Sequence, residues 1–196
     1  MSIYNQISVN KRNSVLLVVS FFIFISLLGY TFGSLSQFGT FFGIFVGLIF
    51  SLISALFSYY FGDKIVLRIS GAKEIKKEDN PVFYNLIESL SLGSGLPMPK
   101  LHIINDNSIN AFATGRNPKH ASVAITTGAL KILNKEELEG VLAHELSHVK
   151  NLDIRFMVLV AVMVGTIVML SDFFLRTLMF SGDKDNKGAN LILIVF

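Results

Sequence analysis

The 196-residue chain contains no cysteine. This absence excludes disulfide bonds and thiolate metal ligands, and it is consistent with a reducing compartment. Any bound metal ion must therefore take nitrogen or oxygen ligands. Charge is also scarce, because 16% of the residues are charged and the net charge of +3 is spread along the chain. Such a charge pattern does not indicate a nucleic-acid interface, and we expect no nucleic-acid partner.

No charged residue occurs between Arg12 and Asp63. The whole chain is 52% hydrophobic with a mean hydropathy of +0.58. One membrane span needs about 20 apolar residues, so this stretch predicts two spans, at residues 14–33 and 41–61. They form a transmembrane hairpin within residues 14–62. A cleaved signal peptide is the competing interpretation of the first span, but its apolar core is too long and no small-x-small cleavage site follows it closely.

A third apolar segment predicts a further span at residues 154–180. Asp172 and Arg176 lie four residues apart in it, either as a functional ion pair inside the membrane or as groups near the far interface. Beyond it we expect an external loop at residues 181–190 and the start of a fourth span at residues 191–196. The chain is therefore expected to be C-terminally truncated.

The positions of lysine and arginine predict the orientation of these spans. Basic residues precede the first span, its following loop is uncharged, and five more follow the second span: Lys64, Arg68, Lys73, Lys76 and Lys77. By the positive-inside rule, residues 1–13 and 63–153 are cytoplasmic. The five basic residues either contact anionic lipid headgroups or serve as an orientation signal on a solvated linker.

The cytoplasmic segment predicts a small mixed domain. Asn80 and Pro81 are typical of a helix start, and residues 91–100, with two glycines and two prolines, indicate a loop. Three short strands follow, at residues 101–104, 111–114 and 122–126. The expected fold class is α+β: a polytopic α-helical membrane protein with a cytoplasmic domain built from one long helix and a short antiparallel sheet.

The long helix carries the sequence HELSH at residues 144–148. Asn134 is a good N-cap and Glu137 stands in capping-box position, so the helix runs through the motif. An α-helix turns 100° per residue, which places His148 about 40° round from His144 and one turn along. Both imidazoles can reach one metal ion.

This spacing is typical of a zinc peptidase. His144 and His148 would be zinc ligands, and Glu145 would be the general base that activates a zinc-bound water. The simpler alternative is a pair of exposed helix histidines beside an acidic residue. His102 and His120, which lie in or beside the predicted strands, receive no role.

Several segments together resemble the HtpX-type membrane zinc metalloproteases, which have a zincin-like fold. The resemblance includes the two N-terminal spans, and its sequence elements are DKIVLR at 63–68, GAKE at 71–74, NAFATG at 110–115 and HELSH at 144–148. It covers nearly the whole chain. It implies a zinc metalloendopeptidase of the bacterial inner membrane that degrades damaged or misassembled membrane proteins, in stress response and protein quality control.

The resemblance also implies roles for particular residues. Asn110, Ala111, Phe112 and Ala113 match the family's substrate-side edge strand, to which an extended peptide adds by backbone hydrogen bonding. The same resemblance implies that the protein contacts membrane lipids and acts on polypeptide substrates. Asp153 matches an aspartate often present in the family, and either orients a zinc-ligating imidazole or caps the third span.

One ligand is missing from this pattern. Catalytic zinc usually takes three protein ligands and water, and the family's third ligand is a glutamate after a fourth span. Glu136 and Glu137 lie about two turns before His144, too far along the helix to replace it. We therefore expect this 196-residue form to bind zinc weakly and to have little or no activity.

Two other functions were weighed against the peptidase. One is a catalytically silent membrane adaptor or scaffold, against which the intact Glu145 argues. The other is a transporter, which rests only on Asp172 and Arg176. An active site inside the membrane is disfavoured because charged residues surround the motif: Lys131, Lys135, Glu136, Glu137 and Lys150.

Overall fold

A computed structural model describes residues 3–35 and 39–180, and it confirms the α+β class. Three of its helices are long and apolar enough to cross a membrane: Gln6–Ser34, Thr40–Ile69 and Asp153–Asp172. The helices are α1 (Ile3–Leu35), α2 (Thr40–Ile69), α3 (Pro81–Ser94), α4 (Thr127–Ile132), α5 (Lys135–Asn151) and α6 (Asp153–Phe180). The strands are β1 (Lys73–Glu74), β2 (Lys100–Ile104), β3 (Ala111–Gly115) and β4 (Ala121–Thr126).

The chain divides into two compact units. One contains Met1–Leu17 and Phe57–Ala161, and therefore holds the sheet, α3, α4, α5 and the ends of three other helices. The other contains Val18–Leu56 and the chain from Val162 onwards. The predicted external loop at residues 181–190 and the predicted fourth span at 191–196 lie outside the described residues.

The four strands form a mixed sheet in the order β1-β2-β4-β3. Two pairings are antiparallel, as expected, but β2 and β4 are parallel, with Leu101 beside Val123 and Ile103 beside Ile125. The expectation of an antiparallel sheet was wrong at this pairing. The reason is that β3 and β4 form an antiparallel pair whose second strand inserts next to β2. This order leaves β3 at the edge of the sheet.

The hydrophobic core lies between one face of this sheet and the helices α3 and α5. Strand β4 is buried along its whole length and has a neighbouring strand on each side. The largest fully buried side chains of the core include Phe83 and Ile87 from α3, Val123 and Ile125 from β4, and Leu142 and Val149 from α5. Burying each such side chain contributes about 1.5–3 kcal/mol. The core therefore fixes how α5 faces the sheet.

Both predicted helix starts are confirmed. The Asn80 side chain accepts a hydrogen bond from the Phe83 amide at 3.0 Å, with Pro81 in the first turn. At α5, Asn134 and Glu137 exchange the two hydrogen bonds of a capping box, each 2.9 Å long. Helix α3 continues to Ser94 instead of ending at residue 90, because its C-cap is Gly95, at φ 70°.

Two glycines allow close helix contact in the second unit. A Cβ atom added to Gly29 of α1 would overlap the carbonyl oxygen of Gly43 of α2, and a Cβ on Gly43 would overlap that of Gly29. Only glycine fits at this crossing. Small residues have the same role in membrane helix pairs, where close backbone approach supplies van der Waals packing.

His102 makes the stability of the first unit depend on pH. It lies on β2 with 6% of its surface exposed. Burial lowers its pKa below 6.5, although the nearby Glu74 partly opposes this shift. The folded protein therefore takes up a proton at His102 less readily than the unfolded chain does, and stability falls as the pH drops below about 6.5.

Replacing His102 with leucine should remove this contribution. We expect the pH dependence of unfolding between pH 7 and pH 5 to become shallower in His102→Leu, by at most about 1.4 kcal/mol per pH unit. Thermal unfolding in detergent micelles across this range measures the effect. An equally steep loss of stability in the variant and the parent would contradict the assignment.

Candidate metal centre

The two motif histidines lie on the face of α5 that points away from the core. Leu142, Leu146 and Val149 are buried on the opposite side and hold the helix in this orientation. The Nε2 atoms of His144 and His148 are 3.2 Å apart, and their rings are nearly perpendicular, at 83°. The two imidazoles thus turn the same ring nitrogen towards a common point.

This geometry fits a zinc ion. Two imidazole nitrogens bound to tetrahedral Zn²⁺ at about 2.0–2.1 Å lie about 3.3 Å from each other. The observed 3.2 Å agrees with that value. The ligand atoms of His144, Glu145 and His148 all lie within 4.8 Å of one another, and no other such group of His, Cys, Asp or Glu occurs in residues 3–35 and 39–180.

Asp153 is the hydrogen-bond partner of the His148 ring. The Nδ1 atom of His148 lies 2.7 Å from Oδ2 of Asp153. A carboxylate accepts hydrogen bonds, so this contact favours the tautomer in which Nδ1 carries the proton and Nε2 keeps its lone pair. Asp153 also stands in the first turn of α6. Both roles weighed for Asp153 are therefore compatible with its position.

Glu145 lies beside the edge strand. Its Oε2 atom accepts a hydrogen bond from the backbone amide of Ala113 over 3.1 Å. Helix α5 packs against β3, which brings the carboxylate to this strand. The Glu145 carboxylate thus connects α5 to the edge strand, and one nitrogen of each imidazole lies within 4.8 Å of it.

The predicted substrate-side residues lie at that edge. The Thr126 amide donates to the carbonyl oxygen of Asn110 at 3.0 Å, and the hydrogen-bonded pairs of an antiparallel ladder recur at every second residue. Phe112 therefore pairs with β4, while Ala111 and Ala113 direct their backbone N–H and C=O groups to the open side. Asn110 itself precedes β3 and is anchored by Thr126.

Two acidic residues outside the motif, Glu137 and Asp172, have partners away from it. Glu137 belongs to the capping box at the start of α5, where its Oε2 accepts from the Asn134 amide. Asp172 pairs with Arg176 at 2.8 Å, and both side chains are more than half exposed. This pair belongs to the second unit, and the group of possible metal ligands in the described residues consists of His144, Glu145 and His148.

Two contacts of the site were not foreseen from the sequence. One is the Ala113–Glu145 hydrogen bond, and the other is a hydrogen bond from Nδ2 of Asn10 to the carbonyl oxygen of Asn151, 3.1 Å long. Asn10 and Asn151 are 141 positions apart. No local pattern signals a contact over that separation.

Comparison with known proteins agrees with this geometry. Residues 78–196 match Peptidase family M48. A protein of Dictyoglomus thermophilum named Protease HtpX homolog is 39% identical over 98% of this chain and 63% of its own length. A relative with the same name in Thermoanaerobacter pseudethanolicus is 38% identical over 99% of this chain and 67% of its own length. Another, in Paraburkholderia phytofirmans, is 48% identical over 68% of this chain and 45% of its own length.

The chain spans 63% of the length of the Dictyoglomus relative. The family match covers more than half of the chain and includes the histidine pair, Glu145 and the edge strand. The resemblance to HtpX-type proteases is thereby confirmed, and the chain belongs to peptidase family M48.

Proposed function

We propose that this protein is a zinc-dependent membrane endopeptidase that hydrolyses damaged or misassembled membrane proteins at the cytoplasmic face of the cell inner membrane. The observation that carries the proposal is the 3.2 Å separation of the two Nε2 atoms, with Glu145 beside them. Membership in peptidase family M48 and three long apolar helices support a membrane metalloprotease.

The histidines and Asp153 would form the metal-binding part of the site. His144 and His148 would each bind through Nε2, and Asp153 would hold the ring of His148 in the tautomer that binding requires. Zinc bound there would supply Lewis-acid chemistry, which would lower the pKa of a water molecule to about 7 and polarise the substrate carbonyl.

Glu145 would move the proton in the reaction. One carboxylate oxygen takes a proton from the attacking water, and the same side chain passes it to the nitrogen of the leaving amine. Its Oε2 already accepts a hydrogen bond from the Ala113 amide. A peptide carbonyl that pairs with that amide would replace Glu145 as acceptor and free its carboxylate for this transfer.

Strand β3 would bind the substrate as an added strand. Ala111 and Ala113 offer backbone groups on the open side of the sheet, so an extended peptide can pair with them regardless of its side chains. Such binding suits an enzyme that acts on many misassembled proteins. It also places the peptide beside Glu145, which is bonded to the same strand.

The first unit also supports a site close to the membrane. His148 is bonded to Asp153, which begins the candidate span Asp153–Asp172. Arg116, in the turn between β3 and β4, lies over the ring of Tyr60 near the end of α2, with 5.1 Å between Cζ and the ring centroid. We therefore propose substrates whose exposed segments lie just outside the bilayer.

Replacing Glu145 with glutamine tests the catalytic role. In the full-length protein, Glu145→Gln should lower the cleavage rate of an unfolded reporter protein by at least about 100-fold, because general-base catalysis contributes about 10² to 10⁴. Zinc content should be unchanged. Glu139→Gln is the matched control, since Glu139 is an exposed glutamate of the same helix. Unimpaired cleavage in Glu145→Gln would show that a group other than Glu145 acts as the base.

Two substitutions of Asp153 separate its possible roles. Asp153→Ala should weaken zinc binding about 10-fold to 100-fold, as loss of a group that orients a ligand usually does. Asp153→Ser keeps an oxygen that can cap α6 but shortens the side chain that reaches His148. Equal weakening in both variants, measured by competition with a chelator, indicates the orienting role. Normal zinc affinity in Asp153→Ser would indicate that Asp153 only caps α6.

The 196-residue chain itself should bind zinc weakly. Its described residues supply two imidazole ligands, whereas catalytic zinc sites usually have three protein ligands. We expect dialysis against a mild chelator to remove most of the metal, and cleavage of the reporter protein to be slight. Stoichiometric zinc after dialysis, measured by atomic absorption, together with full turnover would refute this expectation.

A further inference from the structure

The turn between α5 and α6 holds Asp153 against His148 at some conformational cost. Leu152 occupies this turn with φ 61° and ψ 17°, the left-handed region. A residue other than glycine is disfavoured there, because its Cβ atom lies too close to the following carbonyl oxygen. It is also the only non-glycine residue with positive φ in the described part of the chain. The turn therefore needs contacts from outside its own residues.

Ile154 holds the turn from the core side. Its side chain is fully buried in the cluster formed by the sheet, α3 and α5. The other side of the turn faces the first residues of the chain. There, Nδ2 of Asn10 donates a hydrogen bond to the Asn151 carbonyl, 3.1 Å away. This carbonyl is one of the last in α5, and the last carbonyls of a helix accept no hydrogen bond from an amide of the same helix.

The backbone of Asn10 also takes part in a side-chain hydrogen bond within α1. It lies on α1 in the same compact unit as the turn, and its own carbonyl accepts a hydrogen bond from the buried Ser14 hydroxyl at 2.8 Å. The amide lines a cavity of about 370 Å³, together with Gln6 and Val9 of α1 and Ser147, His148, Asn151 and Asp153. Asn10 therefore lies beside the ligand-orienting pair without touching the ring nitrogen that faces the metal position.

We propose that Asn10 is a positioning residue for the metal centre. By binding the Asn151 carbonyl it stabilises Leu152 in the left-handed conformation, and so keeps the Asp153 carboxylate on Nδ1 of His148. The N-terminal helix thus contributes to the site as well as to the membrane anchor. This inference rests on the proposed zinc peptidase function, because its consequence is a better-oriented zinc ligand.

Zinc affinity in single and double variants tests this indirect action. Asn10→Ala in the full-length protein should bind Zn²⁺ about fivefold more weakly, the effect expected from loss of one hydrogen bond. In an Asp153→Ala background the same change should have no further effect, because Asn10 acts through Asp153. Asn13→Ala, one turn along α1, is the matched control and should bind like the parent. Equal losses in both backgrounds, or none in either, would overturn the proposal.

Hydrogen exchange of the metal-free protein gives a readout that does not depend on zinc. Asn10→Ala, and the similarly sized Asn10→Leu, should exchange backbone amides of residues 149–154 faster than the parent and Asn13→Ala do. Unchanged exchange would refute the inference even if the variants bind zinc poorly. A parent protein that binds no zinc would instead refute the proposed function, while the exchange result would still decide whether Asn10 holds the turn.

Discussion

The burial of one face of α5 is the constraint on which the rest of the candidate site depends. Leu142, Leu146 and Val149 are almost completely buried against the sheet and α3. Because side chains in a helix point in directions set by their spacing, this burial directs His144 and His148 to the opposite side. It also brings Glu145 to the edge strand, where the Ala113 amide binds its carboxylate. One packing interface thereby sets the positions of both imidazoles, the carboxylate and β3.

Three consecutive residues in the turn from α5 to α6 have different structural roles. Asn151 presents its carbonyl to Asn10, Leu152 reverses the backbone at positive φ, and Asp153 accepts a hydrogen bond from His148. Asp153 is also the first residue of a candidate membrane span. A change in this turn would therefore act on the hydrogen bond to His148, which we propose as a zinc ligand. Such coupling suits a peptidase whose proposed substrates are membrane proteins.

The local elements were predictable because short-range chemistry determines them. Asn134 and Glu137 form the predicted capping box, Asn80 caps α3, and the uncharged run after Arg12 forms two long apolar helices. The parallel pairing of β2 with β4 was not predicted, and neither were β1 and α4. Strand pairing depends on which strands meet in space, and alternation of apolar residues within each strand is the same for both directions.

The sequence by itself determined the histidine spacing, the glutamate between the two imidazoles, the absence of thiolate ligands and the apolar helices, since each depends on residue type and helical period alone. Tertiary structure decided that Nδ1 of His148 contacts Asp153, that β3 lies at the sheet edge beside Glu145, and that Asn10 reaches Asn151. The last two of these features join residues far apart in the chain. Hydrogen bonds between such residues form only after the core has fixed the elements that carry them.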